Sequence, residues 1–221
     1  MPASANRESF RAGVRVGIPL AAASVLVGLS FGVLAEPVMG EVAPIVMSAI
    51  VFAGSAQFAA TAVLADGGSA AAAIVAGILL NARFLPMGIA IARSVRGGRL
   101  WRALMGQAMI DASWALANRG EGRFDVHYML GATLVNYPAW VAGTAIGVFG
   151  GGAIGNTDDL GLDAIFPAFF LGLLANELRG SLSVGAAAIG AVVALALTPF
   201  TPAGVPILAA CAGALLAVRW R

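Results

Sequence analysis

The sequence predicts an all-α, polytopic integral membrane protein with about six to eight membrane segments. Hydrophobic residues make up 60% of the chain and charged residues only 11%, which leaves too little polar surface for a soluble domain of this length. Three long runs carry no charge: Val16–Ala35, Val42–Ala65 and Gly180–Val218. A helix needs about 20 mostly apolar residues to cross a bilayer, so several crossings are available. The runs lack the alternation of a β-barrel, and α-helices are therefore expected.

The apolar segments follow one another with no room for a soluble domain, which predicts a single transmembrane domain over residues 1–221. The predicted segments are 16–35, 42–65, 68–92, 103–118, 128–150, 160–178, 181–197 and 204–218. Short motifs recur at an offset of 115 residues, as between Gly28–Val33 and Gly143–Val148. A duplication would give repeats at about 15–92 and 128–200. Chance matching between alanine-rich helices is the alternative.

The arginine distribution predicts orientation in a bacterial cytoplasmic (inner) membrane. All 13 basic residues are Arg, and the net charge of +2 is too small to imply nucleic acid. Segments 7–15 and 93–102 are rich in Arg and should both be cytoplasmic. Three complete crossings between them would place 93–102 outside, so one segment within 42–92 should not cross completely. A broken or re-entrant helix at Gly54-Ser55 or at Asn81–Arg83 would resolve this conflict.

Phe52–Phe58 is the densest polar cluster within an apolar run, and it contains Gly54, Ser55 and Gln57. A helix break here would leave free backbone N–H groups, and a helix N-terminus favours an anion such as a substrate carboxylate. The alternative is a helix-packing face, because small residues let helices approach closely. We therefore expect Gly54, Ser55 and Gln57 to bind substrate or to pack against another helix.

Asn81 and Arg83 form a second polar position within apolar sequence. An Arg inside a bilayer is costly unless it is paired, is hydrated or snorkels to the interface. Arg83 is therefore predicted to face a substrate carboxylate or the carboxylate of Asp111, with snorkelling as the alternative. Asn81 is predicted to join the substrate site.

Asp111 is also the first candidate for proton coupling, and Glu177 is the second, because a carboxyl group in an apolar site can load and release a proton. Gln107, Asp111, Trp114 and Asn118 recur at helical spacing, which predicts one polar stripe on a single helix. Asn136 and Asn176 are further neutral polar groups predicted at membrane depth.

Several motifs together resemble the AzlC family of branched-chain amino acid exporters, over roughly Phe10–Ala217. The phrase FAGSAQF followed by LLNAR is the most specific part of this resemblance. The matching stretches are Ser30–Ala35, Met47-Ser48, Val51–Phe58, Leu79–Arg83, Asp111, Gly143-Thr144, Gly161–Asp163 and Phe166–Phe169.

The resemblance implies a permease for amino-acid transport, in which leucine, isoleucine, valine and often methionine leave the cell by proton-driven efflux. It also implies a small membrane partner of the AzlD type. The alternatives are a channel or a non-transporting assembly subunit. An intramembrane serine protease using Ser55 would need a positioned base, yet His127 is the only His and there is no Lys. We therefore expect no enzyme activity, no cofactor and no bound metal.

Overall fold

The computed structural model describes residues 3–154 and 181–201, together with isolated positions at 171, 174, 175, 178, 206, 209, 210 and 212. Within these residues the chain is helical, and the extended pairing that occurs is an isolated bridge between Asn118 and Phe124. The helices are α1 (Ala3–Met39), α2 (Val42–Ile50), α3 (Gly54–Ala65), α4 (Ala70–Asn81), α5 (Phe84–Ile91), α6 (Arg99–Gln107), α7 (Asp111–Ala117), α8 (Val126–Ile154) and α9 (Ser181–Leu197). The predicted segments 160–178 and 204–218 lie almost entirely outside the described residues.

The chain divides into two compact units. The first unit contains residues 1–54 and 81–153, and the second contains residues 55–80 and 154–221. Both units draw on both predicted repeats, so neither unit corresponds to one half of the sequence. The single transporter domain stays a prediction.

Two stretches of the described chain are long and apolar enough to cross a membrane. They are Ser4–Met39 and Ala70–Ile91, and shorter apolar helices cover Gly54–Ala65 and Val184–Leu197. Many large apolar side chains face outward, among them Leu26, Leu85, Ile89, Phe149 and Leu195. Water would disfavour such a surface, whereas lipid tails suit it.

In the first unit, α1 and α8 pack side by side at glycines. A Cβ placed on Gly28 would lie 2.7 Å from the Trp140 carbonyl oxygen, and one on Gly17 would lie 2.8 Å from that of Ala132. The contacts advance together along both helices, so α1 and α8 run parallel. Because both sides of each contact are backbone, only glycine permits this separation.

These glycine contacts are reciprocal. Gly28 abuts the Trp140 carbonyl and Gly143 abuts the Val25 carbonyl, and adding 115 to 28 and 25 gives 143 and 140. Gly32 abuts Thr144 while Gly147 abuts Leu29, at the same offset. Two helices related by a local two-fold axis exchange contacts in this way. The packing therefore supports the predicted duplication, which stays a prediction for the whole chain.

An arginine-rich end of the first unit forms where three segments meet. The Ser9 hydroxyl of α1 donates to Asp125 Oδ2 at 2.6 Å, and the Phe124 N–H donates to the Ser94 hydroxyl at 3.1 Å. Three, four and two Arg residues, nine of the 13 in the chain, lie in segments 7–15, 93–102 and 119–123. The start of α1, the end of α5 and the start of α8 thus share one end.

Asp125 holds this end together just before α8. Partial burial of its carboxyl raises the pKa, but hydrogen bonds from Ser9, the Tyr128 N–H and Arg119, with the Arg119 charge, outweigh that effect. The pKa of Asp125 is therefore lowered from its ordinary value of 3.8. The carboxylate form is the one that the native contacts favour.

The predicted continuous helix over 103–118 was wrong, because the chain breaks into α6 and α7. Ile110 is extended, with φ −118° and ψ 161°, and its N–H donates to the Ser113 hydroxyl at 3.2 Å. A new helix therefore begins at Asp111. The predicted stripe does not lie on one helix: Gln107 ends α6, and Asn118 leaves α7 with an extended backbone.

Helices α6 and α7 instead form a hairpin beside α8. At its tip the Thr133 hydroxyl donates to the Ala108 carbonyl at 2.7 Å, and at its base the Asp125 N–H donates to the Ala117 carbonyl at 2.9 Å. Thr133 is seven residues beyond the start of α8, which places the tip about 10 Å along that helix. The hairpin thus enters from the arginine-rich end and returns to it.

In the second unit, α3 and α4 form an antiparallel hairpin. Gly67, with φ +77°, supplies the turn between them, and the Ser69 hydroxyl accepts the Ala72 N–H at 3.2 Å to cap α4. A Cβ on Gly77 would lie 3.8 Å from the Ala56 carbonyl oxygen, so the two helices are closely packed. Residues 55–61 of α3 are buried on all sides, as expected of a helix without a polar face.

Candidate functional site

The sequence predicted a helix break at one of two places, and the structure has an interruption at both. Helix α2 ends at Ile50 and α3 begins at Gly54, and Phe52 between them has φ +43°. That left-handed backbone costs a non-glycine residue about 1–2 kcal/mol. The Phe52 ring contacts the Tyr137 ring edge-on, with centroids 4.9 Å apart. This contact packs Phe52 against α8 at the break.

The second break separates α4 from α5 and has a local cause. Pro86 has no N–H to donate to the carbonyl of Ala82, four residues earlier. The Leu85 N–H donates to the Ala82 carbonyl instead, at 3.1 Å. This bond spans three residues, so the helical turn at Ala82-Arg83 is tighter than an α-helical turn. Arg83 keeps helical angles, so this break is a kink rather than a reversal.

At the first break, two side chains satisfy the carbonyl groups that α2 leaves open. The Tyr137 hydroxyl of α8 donates to the Ala49 carbonyl at 2.8 Å. Gln107 at the end of α6 donates its Nε2 to the Ile50 carbonyl, also at 2.8 Å. A helix C-terminus needs such donors because its last carbonyls have no partner within the helix. The break is therefore fixed from two directions.

The start of α3 carries the first group of predicted substrate residues. A Cβ on Gly54 would lie 2.9 Å from the end of the Trp140 ring, so the indole packs directly on the first turn. Ser55 is 2% exposed, and its hydroxyl oxygen has no hydrogen-bond partner among the residues that the structure describes. Gln57 is fully buried. A buried polar group without a partner is costly unless a ligand or water satisfies it.

Arg83 and Asp111 form a bidentate ion pair, as the sequence predicted for two opposite charges on successive segments. Arg83 Nε donates to Oδ1 at 2.9 Å and Nη2 donates to Oδ2 at 2.8 Å. The Arg83 side chain is 32% exposed and that of Asp111 43%. The guanidinium also lies over the Phe84 ring, 5.0 Å from its centroid. In this conformation the Arg83 fork holds a protein carboxylate.

The remaining predicted residues lie in different surroundings. The Asn81 side-chain oxygen is buried and has no hydrogen-bond partner in the described part of the chain. Asn136 accepts the Ser24 hydroxyl at 2.5 Å and so ties α1 to α8. Asn118 is exposed and accepts the Gly120 N–H at 2.9 Å, which makes it a turn residue. The predictions for Asn176 and Glu177 lie outside the described residues.

The sequence reasoning missed Trp140 and Thr133. Trp140 contacts Gly54 and stacks on Phe31, with ring centroids 6.4 Å apart. Thr133 joins the tip of the α6–α7 hairpin to α8. A single aromatic or hydroxyl residue in an apolar helix gives no signal at the sequence level, because its partners lie far along the chain.

The family described as AzlC protein matches residues 19–154, which is more than half of the chain. The chain belongs to the AzlC family. The matched region contains both helix breaks, the Arg83–Asp111 pair and the α1–α8 contacts of Gly28 and Gly32.

Relatives of this AzlC-family chain are membrane proteins. It is 34% identical over 213 residues to an uncharacterized membrane protein of Archaeoglobus fulgidus, covering 94% of this chain and 93% of the relative. It is 31% identical over 172 residues to the branched-chain amino acid transport protein AzlC of Bacillus subtilis, covering 74% and 65%. It is 27% identical over 226 residues to the inner membrane protein YgaZ of Escherichia coli, covering 96% and 92%. No solved structure matches the chain. The AzlC-family chain is thus a membrane protein, and it is helical in the part that the structure describes.

Proposed function

We propose that this chain is a transporter subunit that exports branched-chain amino acids across the bacterial inner membrane, coupled to protons by alternating access. The helix break that begins α3 carries the proposal. It combines the N-terminus of α3 with the buried hydroxyl of Ser55, which has no hydrogen-bond partner among the residues that the structure describes. The name of the Bacillus subtilis relative supports the cargo class. Leucine, isoleucine, valine and methionine are the proposed cargo.

The substrate carboxylate would bind at the start of α3. Backbone N–H groups of the first turn of α3, at Gly54 and Ser55, stand at the positive end of the helix dipole, where an anion is favoured. Gln57, further along α3, is proposed to contribute its side-chain amide. Arg83 is the weaker candidate for binding the substrate carboxylate, because its guanidinium group is paired with Asp111 in this conformation. Asn81 stays a proposed substrate residue, because its buried side-chain oxygen has no hydrogen-bond partner in the described part of the chain.

Asp111 is proposed to carry the coupled proton, with Glu177 as the second candidate. A protonated carboxyl keeps one acceptor oxygen but loses its charge, so it holds a guanidinium less firmly. Protonation would therefore loosen the Arg83–Asp111 pair and deprotonation would restore it. The pair would thus exist in two states, one for each half of the transport cycle.

The proposed topology is multi-pass with a cytoplasmic N-terminus. The arginine-rich end would be cytoplasmic. The start of α1 and the end of α5 share that end. If α1 crosses outward, the chain after α1 must therefore make one net crossing back by the end of α5. The stretch 70–91 is long enough to make it. Helices α2 and α3 would then form a re-entrant hairpin around the break at Phe52.

Export is tested in cells that lack the gene, loaded with valine through a valine dipeptide. These cells should retain intracellular valine and stop growing, and the wild-type gene should restore clearance. The gene is expressed with and without an AzlD-type small membrane protein, because such a partner is proposed. Clearance at the wild-type rate in deleted cells, with no second exporter, would refute the proposal.

The binding site is tested by Ser55→Ala. Removing the unpartnered hydroxyl should raise the KM for valine by about tenfold, the loss of one hydrogen bond to a charged group. Ser30→Ala is the matched control, since the Ser30 hydroxyl is also buried but donates within its own helix to Leu26 at 3.0 Å. An equal KM in the two variants would contradict the site. A channel would differ from a transporter by failing to move valine against its gradient.

A further inference from the structure

One turn contacts both helix breaks of the first unit. The α6–α7 turn, Gln107–Asp111, begins with the residue that caps α2 and ends with the residue that holds Arg83. Gln107 Nε2 donates to the Ile50 carbonyl at 2.8 Å. Asp111 accepts two bonds from Arg83, at 2.9 and 2.8 Å. Three residues separate these two contacts, so a displacement of one end of the turn also displaces the other end.

The turn itself is stiff. The Ser113 hydroxyl accepts the Ile110 N–H at 3.2 Å, and the Thr133 hydroxyl donates to the Ala108 carbonyl at 2.7 Å. Its backbone is therefore tied both to α7 and to α8. A stiff element with a polar contact at each end transmits a displacement instead of absorbing it.

The break that the turn caps is strained. Phe52, two residues after Ile50, holds a left-handed φ of +43°, and such a conformation persists only where its surroundings hold it. The contacts of Gln107 and Tyr137 with the end of α2 are two of those surroundings. Losing the Gln107 contact would leave the Ile50 carbonyl open and favour rearrangement at the break.

We propose that the turn Gln107–Asp111 is the coupling element of the protein, with Gln107 as a positioning residue that transmits the state of the Arg83–Asp111 pair to the break between α2 and α3. When the pair is intact, Gln107 holds Ile50 and the break is closed. When the charge on Asp111 is neutralised, the turn shifts, Gln107 releases Ile50 and the break opens. The inference rests on the proposed proton-coupled function, and it assigns to Gln107 the link between proton and substrate.

The test measures how accessible the break is, without substrate. Ala53 is 5% exposed and lies inside the break, so Ala53→Cys in a Cys211→Ser background provides a single thiol there. Its modification by a small methanethiosulfonate reagent should be slow in the purified full-length protein. Asp111→Asn and Gln107→Leu should each speed it by about tenfold, the equivalent of one hydrogen bond. Gly106→Ala is the control, because nothing lies within 4 Å of a Cβ there.

The double variant decides whether the two residues act together. If the turn couples them, Asp111→Asn with Gln107→Leu should react no faster than either single variant, which is the mark of one shared pathway. Effects that multiply, or an Asp111→Asn variant as unreactive as the parent, would overturn the proposal. Arg83→Gln breaks the same pair from the other side and replaces Asp111→Asn if that variant does not fold.

A transport measurement separates positioning from simple structural damage. Gln107→Leu should lower kcat for valine by about tenfold while KM changes less than twofold, because the amides of α3 are untouched. A raised KM with unchanged kcat would place Gln107 in the substrate site and overturn the proposal. The thiol experiment needs no cargo, so it can succeed even where valine export fails. The failure of one proposal is thus distinguishable from the failure of the other.

Discussion

Gly28→Ala should weaken the packing between α1 and α8. The added Cβ would lie 2.7 Å from the Trp140 carbonyl oxygen, and ordinary van der Waals contact begins at 3.4 Å. The contact is thus 0.7 Å too short. The Cβ is fixed to the backbone of α1 and the carbonyl belongs to the backbone of α8, so the helices must separate by about that much. Overpacking of this kind costs about 1–3 kcal/mol. The better helix propensity of alanine returns about 1 kcal/mol.

Gly150→Ala is the matched control within α8, since nothing lies within 4 Å of a Cβ at that position. The Gly150→Ala variant gains the same helix propensity without a steric clash. The two variants should therefore differ by about 2 kcal/mol, which is about 4–8 °C in Tm for a chain of this size. The measurement is thermal unfolding of the detergent-solubilised protein. A Gly28→Ala variant as stable as Gly150→Ala would show that the helices are not in backbone contact.

Three further predictions concern charged groups. Arg83→Leu and Asp111→Leu should each lower folded yield, while the double variant recovers yield but not transport; additive losses would show that the residues act independently. In a Cys211→Ser background, cysteines placed within 93–102 should react only with reagents that reach the cytoplasm, and labelling from outside would remove the argument for a re-entrant helix. Since native contacts lower the pKa of Asp125, their stabilisation is complete above the ordinary value of 3.8 and is lost as pH falls through the lower native value. Asp125→Asn should flatten the dependence of Tm on pH in that acid range, and an unchanged slope would contradict the cause given.

The helical class and the break at Asn81–Arg83 could be predicted because their causes are local, whereas the break at Phe52 also depends on Tyr137 and Gln107, which lie far along the chain. Uncharged runs of membrane length specify helices, and Pro86 removes a donor wherever it stands in a helix. The pairing of Arg83 with Asp111 was also predictable, because a charge in apolar sequence needs a partner and few were available. These inferences depend on composition and on neighbours in sequence.

The α6–α7 hairpin was not predictable for the opposite reason. Its residues have good helical spacing, and the break at Ile110 depends on Ser113 and on the Thr133 contact from α8. Trp140 likewise acquires its role from Gly54, which lies far away in the chain. Tertiary contacts override local periodicity at such positions, and a single sequence does not contain them.

The parallel pairing of α1 and α8 has a consequence for how the chain can thread through a bilayer. If α1 and α8 are the first helices of two copies of one ancestral unit, both copies have the same orientation in the membrane. The first copy must then bring the chain back to the side on which it started, so it crosses an even number of times. With an odd number of crossings in the first copy, the second copy would start on the opposite side of the membrane, and α8 would run antiparallel to α1. Glycine contacts such as that between Gly28 and Trp140 therefore restrict on which side the distant loop at 93–102 can emerge.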